Sequence, residues 1–407
     1  MSNSRSRSGR HQRSSSKEEE RSCCTWPRII LAVCLLAVIA VLIWKFAPID
    51  EAINTVLPNF NSTTDSSSSG GDGGGDGTND DNGGGDGGGV TQPTEAPFPT
   101  TYRFMQCQDP NSLTCCNGLD GICDLQVDQA LFATAHNAMA TKEDGFLLLN
   151  NHNFPLEQAL VAGYRGLNLD VCNCGGTLNF CHGLCSVGTR SIEEVMTNVN
   201  QFLDENPSEV VIFLFQINSD VDQTVSMLEF SNQIQQVSGG SFKDKIYEHP
   251  APNATWPTLG QLRNPTDNRR AIMFYYNAPS CAELGTCPPG FHYYPDFATE
   301  TQFEYDDVAA WNNKEYSCSL RWTPLVPSFL GLNSFLTIPS EDSARTLNSY
   351  DNVKNHIEVC STSTGRDTNF YIADFWSVGD IPQVTQEHNL VQTSVRNRQR
   401  RRLGGGW

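Results

Sequence analysis

Apolar positions in this 407-residue chain fall into three regimes. Residues 29–44 form one unbroken apolar run, IILAVCLLAVIAVLIW; residues 66–89 are nearly all Ser, Gly, Asp and Asn; from about residue 103, short apolar runs alternate with amphipathic stretches. The first run, extended by Phe46 and Ala47 past a snorkelling Lys45, approaches the ~17–25 residues of a membrane-spanning helix. Trp26 and Trp44 flank it as interface anchors. It exceeds the ~7–15-residue core of a signal peptide, and no small-x-small cleavage site follows it. The expectation is a single transmembrane signal anchor over 29–47. The middle regime cannot bury a core and predicts a disordered, self-repelling linker, with a Pro/Thr stalk, over 48–102.

The third regime predicts alternating strands and helices. Runs at 131–135, 167–171, 178–181, 209–215, 271–276 and 370–375 read as strands, the continuous EVVIFLF at 209–215 as one covered on both faces. Residues 155–164 predict a helix with Leu156, Leu160 and Val161 on one face. Ser191 predicts a helix start, with Glu194 at the capping-box position, and Asn206-Pro-Ser208 ends that helix near Leu203. Repeated β-then-α units predict an α/β domain over 103–393, a parallel sheet with helices outside. Its length suits a barrel. A basic tail follows at 394–407.

Charge sets the orientation. Arg5, Arg7, Arg10, Arg13, Lys17, Arg21 and Arg28 precede the apolar run, and only Lys45 follows it before Asp50 and Glu51. The positive-inside rule makes 1–28 a cytoplasmic tail and this a type II membrane protein, with the folded domain lumenal or extracellular. Twelve cysteines lie beyond the run, an even number suited to disulfides in an oxidising compartment. Cys281–Cys287 and pairs within 107–123 are the plausible local bridges. Asn61 and Asn253 head glycosylation sequons, which mark a glycoprotein if this side is lumenal. The net charge of −19 argues against a nucleic-acid partner.

Candidate chemistry collects where strand-like runs end. His136 and Asn137 close the first, Asn168 and Asp170 the second, His182 follows the third, Gln216 the fourth, and Asp374 sits near the end of the last. In a parallel barrel such positions share one mouth. Two imidazoles suit a general base and a general acid for phosphodiester cleavage. Growing charge on the phosphoryl oxygens needs an arginine or a metal ion. Asn137, Asn168, Asp170 and Gln216 are hard oxygen donors that suit Ca2+, in a weak site because only one is a carboxylate. His152-Asn153 and His388-Asn389 repeat the His-Asn pair in polar segments and read as surface residues.

These motifs as a set resemble the X-domain superfamily of phosphatidylinositol-specific phospholipases C, and more closely the PLC-like phosphodiesterases of fungi, plants and protists. The resemblance covers about 107–392. Its landmarks are CNG at 116–118, CDL at 123–125, FATAHNAM at 132–139, GLNLD at 166–170, CHG at 181–183, FLDENPSE at 202–209 and ADF at 373–375. It implies a TIM-like barrel, often distorted or incomplete, with His136 as base and His182 as acid. Asn137, Asn168, Asp170 and Gln216 match the calcium positions of the metal-dependent branch, which carries Glu where this chain has Asn168 and Gln216. The metal-free bacterial branch places an Arg two residues after the strand Asp, and here that residue is Cys172. Cys172 is expected in a disulfide with a cysteine among 174, 181 and 185. Arg165 precedes its strand and belongs at the opposite end. Asp374 would orient His136 or serve as a strand-end structural carboxylate. The implied substrate is a phospholipid or glycolipid phosphodiester, an inositol phospholipid or a glycosyl-inositol anchor. The rival readings are a catalytically eroded barrel that binds lipid or phosphate, and a glycerophosphodiester hydrolase or sphingomyelinase D relative.

Overall fold

A computed structural model describes Cys107, Asp109 and residues 111–404, apart from 219–223, 265 and 324–327. The expected anchor, cytoplasmic tail and linker, and the Asn61 sequon, lie outside the described residues. No helix among those described is long and apolar enough to cross a membrane.

The alternating runs become β1 (Phe132–Ala135), β2 (Gly166–Cys174), β3 (Thr177–Cys181), β4 (Thr189–Ser191), β5 (Val211–Ile217), β6 (Ala271–Tyr276), β7 (Phe291–Tyr293), β8 (Ala298–Glu300), β9 (Phe329–Ser334) and β10 (Phe370–Ala373). Eight of them pair in parallel in the order β8-β9-β10-β1-β2-β5-β6-β7. That is chain order wrapped round a circle. Among the described residues, no backbone pairing joins β7 to β8, so the curled sheet stays open at that one seam.

Alternation along each strand builds two cores. Phe132, Ile212, Leu214, Ile272, Phe274, Phe329 and Phe370 point inward and pack together. The rings of Phe274 on β6 and Phe329 on β9 lie 5.4 Å apart, although four strands separate β6 from β9 in the pairing order. Only a curled sheet brings those two faces together. Leu167, Leu169, Val171, Phe213, Phe215 and Met273 point outward under the helices. Gly166 is required where β2 crosses β1, because a Cβ there would sit 2.1 Å from Thr134 Oγ1.

Helix α1 (Leu156–Val161) buries Leu156, Ala159 and Leu160, but Val161 is 57% exposed, because one residue is a 100° step round the helix from Leu160. Helix α2 (Ile192–Glu205) begins as expected, the Glu194 N–H donating to Ser191 Oγ. Helix α3 (Met227–Gln236) packs Phe230 on Phe215 of β5. Later helices are α4 (Glu341–Leu347), α5 (Tyr350–Thr364) and α6 (Ile381–Gly404).

The third predicted strand departs from expectation. β3 runs antiparallel to β2, through a two-residue Gly175–Gly176 turn with φ of +67° and +94°. Such a turn suits a tight hairpin and needs glycine. All twelve cysteines that follow the apolar run are paired: 107–115, 116–123, 172–181, 174–185, 281–287 and 318–360. The expected local bridges and the Cys172 disulfide are among them.

Candidate active site

The inward positions change character from one end of the strands to the other. Phe132, Ile212 and Ile272 fill the N-terminal end, whereas Asn168, Asp170, Gln216, Tyr276, Glu300 and Asn333 line a cavity of about 380 Å³ at the C-terminal end. His136, Asn137 and His182 line the same cavity. Asp374 stands behind His136. The seven residues singled out in the sequence therefore gather at one mouth. Arg165 lies at the other end of β2, buried and paired with Glu209 at 2.6 Å.

His136 is fixed from several sides. Its N–H donates to the Ala373 carbonyl of β10 at 2.9 Å. Its Nδ1 lies 2.9 Å from Asp374 Oδ1, and Asn151 Nδ2 donates to the same oxygen at 2.7 Å. Phe335 stacks on the imidazole, ring centroids 3.6 Å apart. A carboxylate at Nδ1 favours the tautomer protonated there and leaves the Nε2 lone pair free to accept a proton.

His152 is a correction to the sequence reading. It is fully buried, with Nε2 donating to the His136 carbonyl at 2.6 Å and Nδ1 accepting from the Trp376 N–H at 3.2 Å. Those partners define a neutral imidazole, and burial pushes its pKa down to about 4. It braces the backbone of the neighbouring histidine. Asn389 is also buried, its amide bonding both the N–H and the carbonyl of Leu131 at the start of β1. His388, beside it on α6, is partly buried.

His182 reaches the mouth by another route. The β2–β3 hairpin extends beyond the sheet and returns, and Val171 pairs with Phe180. This brings the residue after Cys181 back to the level of Asp170. Disulfides Cys172–Cys181 and Cys174–Cys185 bracket it. Burial first, then the charge of nearby His136, pushes the His182 pKa down to about 4.

Two of the four oxygen donors, Asn168 and Gln216, already accept hydrogen bonds within the protein. Asn168 Oδ1 accepts from the Asn137 N–H at 3.2 Å, and Asn168 Nδ2 donates to the Leu214 carbonyl and the Tyr276 hydroxyl, both at 3.0 Å. The Tyr276 hydroxyl donates to Gln216 Oε1 at 3.1 Å. Asp170 Oδ2 accepts from Asn218 Nδ2 at 3.4 Å, while Oδ1 is buried without a hydrogen-bond partner. Burial pushes the Asp170 pKa up to about 7. This donor set does not fit a resident calcium ion. Two carboxamide oxygens already carry a hydrogen bond each, only one of the four donors is a carboxyl, and burial raises its pKa in the empty site. The one cluster of three strong ligand types among the described residues, Cys318, His356 and Cys360, has both its sulfurs in a disulfide.

Glu300, Arg321, Asn333 and Phe335 also line the cavity and were not foreseen. Strand β8 is only three residues long, and β9 carries a glycine, so neither gave a clear apolar run. Leu149, which lines the cavity, and Leu147, Leu148, Leu184 and Ile338, each within two residues in sequence of a lining residue, are all exposed.

Residues 122–389 match the family model PI-PLC X 1, and the chain belongs to the PI-PLC X-domain family. Among solved structures, it is similar to the phosphatidylinositol-specific phospholipase C from Listeria monocytogenes: 17% identity, TM-score 0.47, covering 70% of this chain and 98% of that one. A mutant phosphatidylinositol-specific phospholipase C from Staphylococcus aureus gives 12% identity and a TM-score of 0.45 over 69% and 98%. No curated protein matches the chain.

Proposed function

We propose that this domain cleaves a phosphodiester by acid–base catalysis, on an inositol phospholipid or a glycosyl-inositol anchor. His136 Nε2 takes the proton of a headgroup hydroxyl next to the phosphate. That oxygen attacks phosphorus, the bond to the lipid-side oxygen breaks, and His182 supplies the proton the departing oxygen needs. The products are a cyclic phosphodiester and a free lipid alcohol. The observation that carries this reading is the pairing of His136 with Asp374 behind it and His182 across the same cavity. The leucine-rich rim supports a substrate presented at a lipid surface. Six disulfides support an extracytoplasmic domain, and glycan occupancy at the exposed Asn253 would test that placement.

His182 must be protonated to act as acid, and the empty site holds it neutral. An arriving phosphate anion favours the imidazolium. Because burial depresses the free-state pKa to about 4, from an ordinary 6.5, kcat/KM is expected to peak on the acid side of pH 6.5. The decisive assay offers phosphatidylinositol vesicles to the purified full-length chain and to His136→Ala, with calcium or chelator, and analyses products for a cyclic phosphate. Wild-type turnover should exceed that of His136→Ala by on the order of 10²–10⁴. Absence of turnover under every condition, with binding intact, would leave a binding module instead.

A further inference from the structure

The cavity holds two histidines and two acidic residues, and Arg321 is the single Lys or Arg among its lining residues. Arg321 lies in a segment that runs antiparallel along the open edge of β8. Its N–H donates to the Glu300 carbonyl at 2.9 Å, the Gln302 N–H donates to the Ser319 carbonyl at 3.2 Å, and Trp322 Nε1 donates to the Ala298 carbonyl at 2.7 Å. The Cys318–Cys360 disulfide ties down the start of this segment. The side chain is held as firmly. Nη1 donates to the buried Glu300 at 2.9 Å, and the guanidinium lies over the rings of Phe303 and Trp322, at 4.3 and 5.0 Å. Glu300 is fixed in turn by Asn333 Nδ2 at 3.3 Å.

Arg321 uses one of five N–H donors for that ion pair and keeps 29% of its side chain exposed. Glu300 and Arg321 both act electrostatically on Tyr276, whose hydroxyl bonds Asn168 and Gln216. The guanidinium therefore stands one tyrosine away from the positions where the sequence placed calcium.

We propose that Arg321, presented by Glu300, Phe303 and Trp322, is the cation that binds the phosphoryl oxygens of the substrate, in a site that works without calcium. The inference rests on the proposed function in placing the phosphodiester between His136 and His182. A planar fork with free N–H groups suits an anionic tetrahedral oxygen cluster. Its fixed position means that little side-chain entropy is lost on binding.

The test is equilibrium binding to the full-length chain of two probes: inorganic phosphate, and myo-inositol as a neutral polyol. Each is measured in chelator and in millimolar calcium, for wild type, Arg321→Met, Arg321→Lys and Glu300→Gln. Arg321→Met should weaken phosphate binding on the order of tenfold or more and leave myo-inositol binding unchanged. Arg321→Lys keeps the charge without the fork and should fall between. Glu300→Gln removes the competing carboxylate and should bind phosphate at least as tightly as wild type. Chelator should change none of these values. Unchanged phosphate binding in Arg321→Met would overturn the assignment, as would a wild type that binds no phosphate or binds it only with calcium. Equal loss of both probes in a normally folded Arg321→Met would instead make Arg321 a headgroup residue. If Arg321→Met fails to fold, Arg321→Lys decides: wild-type phosphate affinity there overturns the role of the fork. Arg321-dependent phosphate binding without phosphodiester turnover would sink the proposed reaction and leave this assignment standing.

Discussion

The two histidines at the mouth are held by different means. His136 ends a central strand and is fixed by the sheet through Ala373, Asp374, Asn151, His152 and Phe335. His182 stands on a hairpin that overshoots the sheet, bracketed by two disulfides. The proposed base therefore depends on non-local packing that folding supplies outright. The proposed acid depends on covalent links that form only under oxidising conditions.

Breaking the hairpin's links should separate the two. Cys172→Ser with Cys181→Ser is expected to lower kcat by about 10²-fold or more as His182 loses its place. Thermal unfolding should register a loss of about 2–4 kcal/mol. Removing Cys281 and Cys287, which lie outside the cavity lining, should leave kcat near wild type. Equal kcat losses for both pairs would refute the difference drawn between the histidines.

On the sheet side, Asp374→Asn keeps the shape but no longer selects the Nδ1–H tautomer. A loss of about 10–100-fold in kcat, with KM little changed, is expected from steady-state kinetics. An unchanged kcat would return Asp374 to a structural strand-end role.

The smallest effect concerns stability. His152 titrates at about 4 in the fold and at an ordinary 6.5 when unfolded, so the unfolded chain binds more protons between those values. Its contribution is complete above pH 6.5 and is lost as pH falls toward 4, roughly 3 kcal/mol in all. His152→Gln should flatten the dependence of unfolding free energy on pH in that window. A slope unchanged by the substitution would show that other buried histidines set it.

How much of this was legible in the sequence varies with the physics involved. Covered strands such as β5 announce themselves as apolar runs, and the Ser191 cap is a local signal. The His136, Asp170 and His182 set was readable because each closes such a run. The direction of β3 was not, because an apolar run does not encode whether its neighbour is parallel. His152 was misjudged because its polar loop is covered by Trp376 and the His136 backbone, contacts more than two hundred residues distant in one case. Arg321 was invisible for a similar reason. Its place is set by antiparallel pairing along a three-residue edge strand, which leaves no periodic trace.

The seam between β7 and β8 has a consequence of its own. In a fully closed barrel, strand number and stagger fix the circumference. Here the ring is cut, like a split collar, and its bore is set by what bridges the cut: the short helix Tyr294–Phe297 and the strip carrying Arg321. Insertions or substitutions in that bridge can widen or narrow the entrance while the strands bearing His136 and Asp374, on the far side of the ring, keep their register. A scaffold built this way can change the size of the ligand it admits without disturbing the placement of His136 and Asp374.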